Sequence, residues 1–152
     1  MEPDIEVSRD IAASPAEVYA ALTDITRMGE WSPETYATEW NDGFDHPEVG
    51  ARFTGHNRNG DKEWSTQAEI VELEPDRRFF FDCDSNGFVF SKWGYVIEPT
   101  EHGCRVTELS QNLIPEAFRA TSTEISGVED RHAHNRAGME RTLERLAAAV
   151  ES

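Results

Sequence analysis

Cysteine is scarce in this 152-residue chain, with Cys83 and Cys104 the only two. They fall in separate strand-like runs with a third run between them, which in a simple meander puts them two strands, about 9–10 Å, apart. A disulfide needs Cα atoms within roughly 7 Å, so both are expected as free, buried structural thiols. Positive charge is also short: 14 Lys and Arg stand against 30 Asp and Glu, a formal net charge of −16. Such an excess repels phosphate backbones and anionic headgroups, which argues against nucleic acid and membrane surfaces as partners. No run approaches the ~20 apolar residues of a spanning helix, and the opening Met1-Glu2-Pro3-Asp4 carries acids where a secretory signal carries bases. A cytoplasmic location without membrane insertion is expected. Glycine-rich phosphate loops, a nucleophile elbow and Cys/His triads are missing. The histidines lack zinc-site spacing, and His132 and His134 would point about 200° apart on a helix. No metal or cofactor is expected.

What is present is enough for one compact domain spanning 1–152. The chain is 38% hydrophobic, 10% aromatic and 29% charged, which suits a packed core under a well-solvated surface. Ile5–Ile11 alternates as a strand and runs into Ser14-Pro15-Ala16-Glu17, a capping box with proline at the first helical position. That predicts a short helix with Val18, Tyr19 and Leu22 on one face, then a second short helix or turn through Ile25 and Met28. From Thr35 to Asn112 the hydrophobic period becomes two, punctuated by Asn41-Asp42-Gly43, Asn59-Gly60-Asp61, Glu74-Pro75-Asp76, Ser85-Asn86-Gly87 and Glu101-His102-Gly103. Six strands are predicted, at 35–40, 51–58, 62–73, 77–84, 88–98 and 104–112. Residues 113–127 read as a loop with one helical turn at 116–120, and 128–150 as a long helix rich in Ala, Glu, Arg, Met and Leu. Sequential hairpins without strand–helix alternation argue for an α+β fold, an antiparallel sheet of about seven strands covered on one face by that helix.

The order of elements is that of the helix-grip fold, a curved sheet wrapped around the C-terminal helix with two short helices after the first strand. Five stretches carry a resemblance in detail: 13–18 (Ala-Ser-Pro-Ala-Glu-Val), 26–34 (Thr-Arg-Met-Gly-Glu-Trp-Ser-Pro-Glu), 49–60, 74–79 and Asn135-Arg136-Ala137-Gly138-Met139. Together they resemble the polyketide cyclase/dehydrase and lipid transport branch of the START-like (SRPBCC, Bet v 1-like) superfamily. The resemblance implies a deep cavity between sheet and helix, used for lipids, polyketides, steroids or other aromatic compounds. It implies no single catalytic motif, because one fold hosts carriers, receptors, cyclases and hydrolases.

Strand alternation predicts which side chains face the helix. With Ser65, Gln67 and Glu69 outward, Trp64, Thr66, Ala68 and Ile70 face in, as do Phe79, Phe81 and Cys83 on the next strand. Phe53, Gly55 and Asn57 join them, with Val89, Ser91, Trp93, Tyr95 and Ile97. On the long helix, Val128, His132, Asn135, Met139, Thr142, Leu146 and Val150 form one stripe with Arg131 and Gly138 at its edge. Its first half is polar, so that end faces either a polar cavity mouth or solvent. Gly138 inside a helix suggests close approach of a strand or ligand.

If Val106 faces in, so does Glu108, whose desolvation Asn57, His132 or Arg131 could offset; a bulge would instead turn it to solvent. Glu108 with His132 is the candidate acid/base pair, suited to cyclisation or dehydration of a polyketone. Trp31, Trp40, Trp64 and Trp93 are either core residues or, together, an aromatic wall for a flat ligand. The expected partner is an apolar or amphipathic small molecule. Its body would sit in an apolar deep half lined by Phe53, Trp64, Phe81, Trp93, Met139 and Leu146, and its oxygenated end near Arg131, His132, Asn135 and Glu108. Binding or transport is the preferred reading and a cofactor-free cyclase/dehydratase the alternative.

Overall fold

The computed structural model describes residues 1–151. Strand β1 (Ile5–Ile11) leads into helix α1 (Pro15–Thr23), a 3₁₀ helix (Ile25–Glu30) and strands β2 (Thr35–Trp40), β3 (Arg52–Asn59), β4 (Lys62–Glu74), β5 (Arg78–Ser85), β6 (Phe88–Thr100) and β7 (Gly103–Asn112). A 3₁₀ turn (Glu116–Phe118), helix α2 (Arg119–Ser126) and helix α3 (Arg131–Val150) complete the chain. All seven strands pair antiparallel in one sheet of order β1-β7-β6-β5-β4-β3-β2. The two cysteines lie on β5 and β7, with β6 between, and are free and buried. No helix among the described residues is long and apolar enough to cross a membrane.

Local chemistry explains the boundaries. Ser14 Oγ accepts from the Glu17 amide at 3.1 Å and donates to the Glu17 carboxylate at the same distance, so the first turn of α1 is capped from both sides. Asp130 caps α3 by accepting from the Ala133 amide, so that helix begins three residues later than its composition suggests. The segment 113–127 is more ordered than its Thr/Ser-rich sequence indicates. Gly127, at φ 71°, ends α2 with its N–H on Thr123 O, and Asn59 Nδ2 donates to Ser126 O at 2.9 Å, tying α2 to the β3–β4 hairpin. At Gly29 a Cβ would lie 2.4 Å from the carbonyl oxygen of Tyr36, so only glycine lets the 3₁₀ helix sit directly on β2.

The concave side of the sheet is solid at one end and hollow at the other. Ile11, Val18, Leu22, Ile25, Trp31, Phe79, Ile97, Val106, Leu143 and Leu146 form the packed core, where α1 and the C-terminal half of α3 meet the sheet. Each such side chain contributes about 1.5–3 kcal/mol by leaving water. Beyond them, toward the β3–β4 and β5–β6 hairpins and the N-terminal half of α3, the space is open.

Candidate functional site

The open half is a cavity of about 1270 Å³ lined by β3 to β7, α3, the 113–127 segment and residues 32–35. Its walls follow the strand alternation: Phe53, Asn57, Trp64, Thr66, Phe81, Cys83, Ser91, Trp93, Tyr95, Glu108 and Ser110 all line it. Three cross-strand pairs of β6 and β7 descend from the rim, Ser91 opposite Asn112, Trp93 opposite Ser110 and Tyr95 opposite Glu108. The next inward pair, Ile97 and Val106, is 1% and 0% exposed and belongs to the packed core. Tyr95 and Glu108 therefore form the floor.

Glu108 is 4% exposed, and burial pushes its carboxyl up to about 8, against the smaller opposing effect of a hydrogen bond from the Tyr95 hydroxyl to Oε2 at 3.2 Å. Tyr95 is in turn held well above the ordinary phenol value by burial and by the neighbouring carboxyl. Oε1 of Glu108 has no hydrogen-bond partner. The other polar groups of the wall are spoken for. Asn57 accepts from Thr35 Oγ1 at 2.6 Å and donates to Thr66 Oγ1 at 2.8 Å; Trp93 Nε1 donates to Ser91 Oγ at 3.0 Å; Ser110 Oγ donates to Met139 Sδ at 3.6 Å. Burial lifts the Cys83 thiol to about 12, so it stays protonated and unreactive.

At the rim, Arg131 binds Glu34 at 2.9 Å and Asn135 Oδ1 at 3.2 Å, and His134 Nε2 meets the same Glu34 oxygen at 2.9 Å. Phe88, Phe118 and Ile125 also line the opening while remaining 50–60% exposed. The mouth is therefore both charged and apolar.

Several sequence expectations need correction. His132 is exposed and faces a separate groove with Asp4, Asn112 and Arg119, so it forms no pair with Glu108, whose partner is Tyr95. The reason is that α3 uses two faces: Met139, Leu143 and Leu146 point into the core or floor, while Arg131, His134, Asn135, Gly138 and Thr142 turn to the cavity. A single averaged stripe hides this division. Leu146 and Trp31 are packed in the solid half, at 0% and 2% exposure, and line nothing. Trp40 packs edge-on to Phe53 with ring centroids 6.2 Å apart, which leaves Trp64 and Trp93 as the tryptophans of the wall. Glu108 lies at the closed end, not at the polar mouth. Asn57 and Arg131 are committed to other partners. No strand approaches Gly138 closely: a Cβ there would have only Pro33 at an ordinary 3.6 Å, and the residue lines the cavity, where the missing side chain leaves space.

Alternation also missed Phe90. Cys83 pairs with Ser91 but Asp84 with Val89, so Phe90 is an extra residue in β6. Past this bulge Phe88 and Phe90, not Val89, line the cavity. A run of Phe-Val-Phe beside a hairpin turn was the available signal.

Comparison with known proteins gives a consistent picture. The sequence matches the family described as polyketide cyclase/dehydrase and lipid transport over residues 2–151. No curated protein matches it. Among solved structures, a polyketide-cyclase-like protein from Corynebacterium glutamicum is 34% identical, with a TM-score of 0.63, covering 97% of this chain and 90% of that one. The di-domain ARO/CYC StfQ from the steffimycin biosynthetic pathway superposes with a TM-score of 0.72 at 15% identity, covering 97% of this chain and 50% of that one. A Chromobacterium violaceum protein superposes at 0.69 with 20% identity, covering 97% of both chains. The last two, at this identity, establish the fold alone.

Proposed function

The chain belongs to the polyketide cyclase/dehydrase and lipid transport family, and from that premise we propose that it binds one apolar or amphipathic small molecule in the cavity between sheet and α3, as a carrier or sequestering protein. The observation that carries this reading is the hollow half itself: about 1270 Å³ walled by Phe53, Trp64, Phe81, Phe90 and Trp93. Such a volume suits a flat polycyclic or acyl body, and aromatic walls gain from its burial. Protein purified without detergent should retain a lipid or aromatic compound detectable by native mass spectrometry and organic extraction, or bind apolar fluorescent probes at one per chain. Neither retention nor probe binding would end this reading.

The family's chemistry keeps one second reading in view, a cofactor-free cyclase or dehydratase, and the observation favouring it is a buried carboxyl with a free oxygen at the cavity floor. A carboxyl held to about 8 is protonated at neutral pH and can act as a general acid toward a carbonyl. Under this reading Glu108→Gln abolishes turnover of a model poly-β-ketone while preserving its binding, and His132→Ala changes neither. Equal loss of binding and turnover in Glu108→Gln would leave only the carrier.

A further inference from the structure

The floor of the cavity says more about the ligand than its walls do. A polar atom that is buried without a partner costs free energy unless something completes it, and Glu108 Oε1 is the one buried side-chain oxygen or nitrogen among the described residues with none. Its sister atom Oε2 is occupied by the Tyr95 hydroxyl, so the carboxyl proton is left on Oε1. Its cross-strand neighbours are Tyr95 on β6 and the apolar Val7 on β1, and no cation contributes to the shift of its carboxyl. Resting on the reading of the cavity as a ligand site, we infer that the ligand enters with a neutral hydrogen-bond acceptor first, a carbonyl oxygen of a ketone or quinone, and that Glu108 donates its proton to that oxygen.

The choice of a neutral carbonyl follows from what faces Glu108. From β6 it meets Tyr95, behind which β5 places Phe79, and from β1 the apolar Val7; on its own strand the next inward residue, Ser110, is held by Met139 of α3. The cavity's cationic and ionisable groups on α3, Arg131, His134 and Arg141, do not contribute to the shift of its carboxyl, which arises from burial and Tyr95 alone. A ligand carboxylate would thus bring an unpaired anion to the floor, and an ammonium would force two desolvated charges together where few acceptors exist. A plain hydrocarbon end would leave Oε1 as it stands, buried and without a partner. A carbonyl supplies the missing bond. This also reverses the expected polarity: the oxygenated end goes deep, and the apolar tail is left beside Phe88, Phe118 and Ile125.

A matched set of anthracenes tests this: 2-acetylanthracene, 2-ethylanthracene and 2-(aminomethyl)anthracene, titrated into the full chain. At pH 6.5 the ketone should bind about 10-fold or more tightly than the hydrocarbon. That preference should vanish above about pH 8, where the proton is lost. Glu108→Gln keeps an N–H donor and should keep the preference at every pH; Glu108→Leu should remove it while still binding 2-ethylanthracene. Equal affinity for ketone and hydrocarbon, or tightest binding of the amine, would overturn the inference and leave the cavity a ligand site. Failure of all three probes would instead bring down the binding reading on which it rests.

Discussion

Glu108→Gln is expected to stabilise the folded chain at alkaline pH by on the order of 5 kcal/mol, a gain that shrinks toward zero as pH falls to about 4.5. The folded carboxyl is held near 8 against an ordinary value of 4.5, so the unfolded chain gives up this proton first as pH rises. Stability from this group is therefore complete below about 4.5, declines between the two values, and stays at its lowest above about 8. Glutamine mimics the protonated acid and never pays the desolvation of a carboxylate. It can still accept from Tyr95 through its oxygen. Urea unfolding of both proteins between pH 5.5 and 9 reads the effect as a difference, so the other 29 acids, common to both, cancel. A pH-independent offset would show that Glu108 is solvated in the folded state.

A contrast between two tryptophans comes next in size. Trp31→Ala should cost about 3–5 kcal/mol, the range for emptying a large side chain from a close-packed core. The ring is 2% exposed within the solid half, and the Arg27 guanidinium lies over it, 5.2 Å from the centroid. Trp93→Ala removes a partly exposed ring that already borders open space, so it should cost about 1–2 kcal/mol and act mainly by weakening probe binding. Denaturant midpoints and probe titrations on the two variants separate these outcomes. If Trp93→Ala unfolds the protein more readily than Trp31→Ala, the division into solid and hollow halves is wrong.

Why these two rings differ was beyond the reach of pattern reading. Trp31 and Trp93 have the same chemistry, and what distinguishes them is their tertiary surroundings: Trp31, at the end of the first 3₁₀ helix, joins the packed core, whereas Trp93 on β6 borders the cavity. Strand pairing, by contrast, was legible because turn residues are local: Asn86-Gly87 adopts φ of 51° and 82°, and the chain must reverse there. Inward alternation carried through to Glu108 because Val106 fixed its phase and no bulge intervened in β7. It failed at Phe90, where one added residue shifts the register without any proline or glycine to announce it. On α3 the sequence pattern averaged a core face and a cavity face into one stripe, which misplaced His132. The orphaned Oε1 could not be foreseen at all, since Tyr95 and Glu108 are brought together only by the β6–β7 register.

The tie between Asn59 and Ser126 O has a consequence for local stability. Helix α2 buries only the Ser126 side chain, while Phe118 and Ile125 face water, so little apolar surface holds it to the sheet. Segments of this kind open at free energies well below that of global unfolding. Amides of 119–126 should therefore exchange with solvent faster than those of the seven strands in a native-state hydrogen-exchange measurement, opening the hollow half to bulk water while the solid half stays shut.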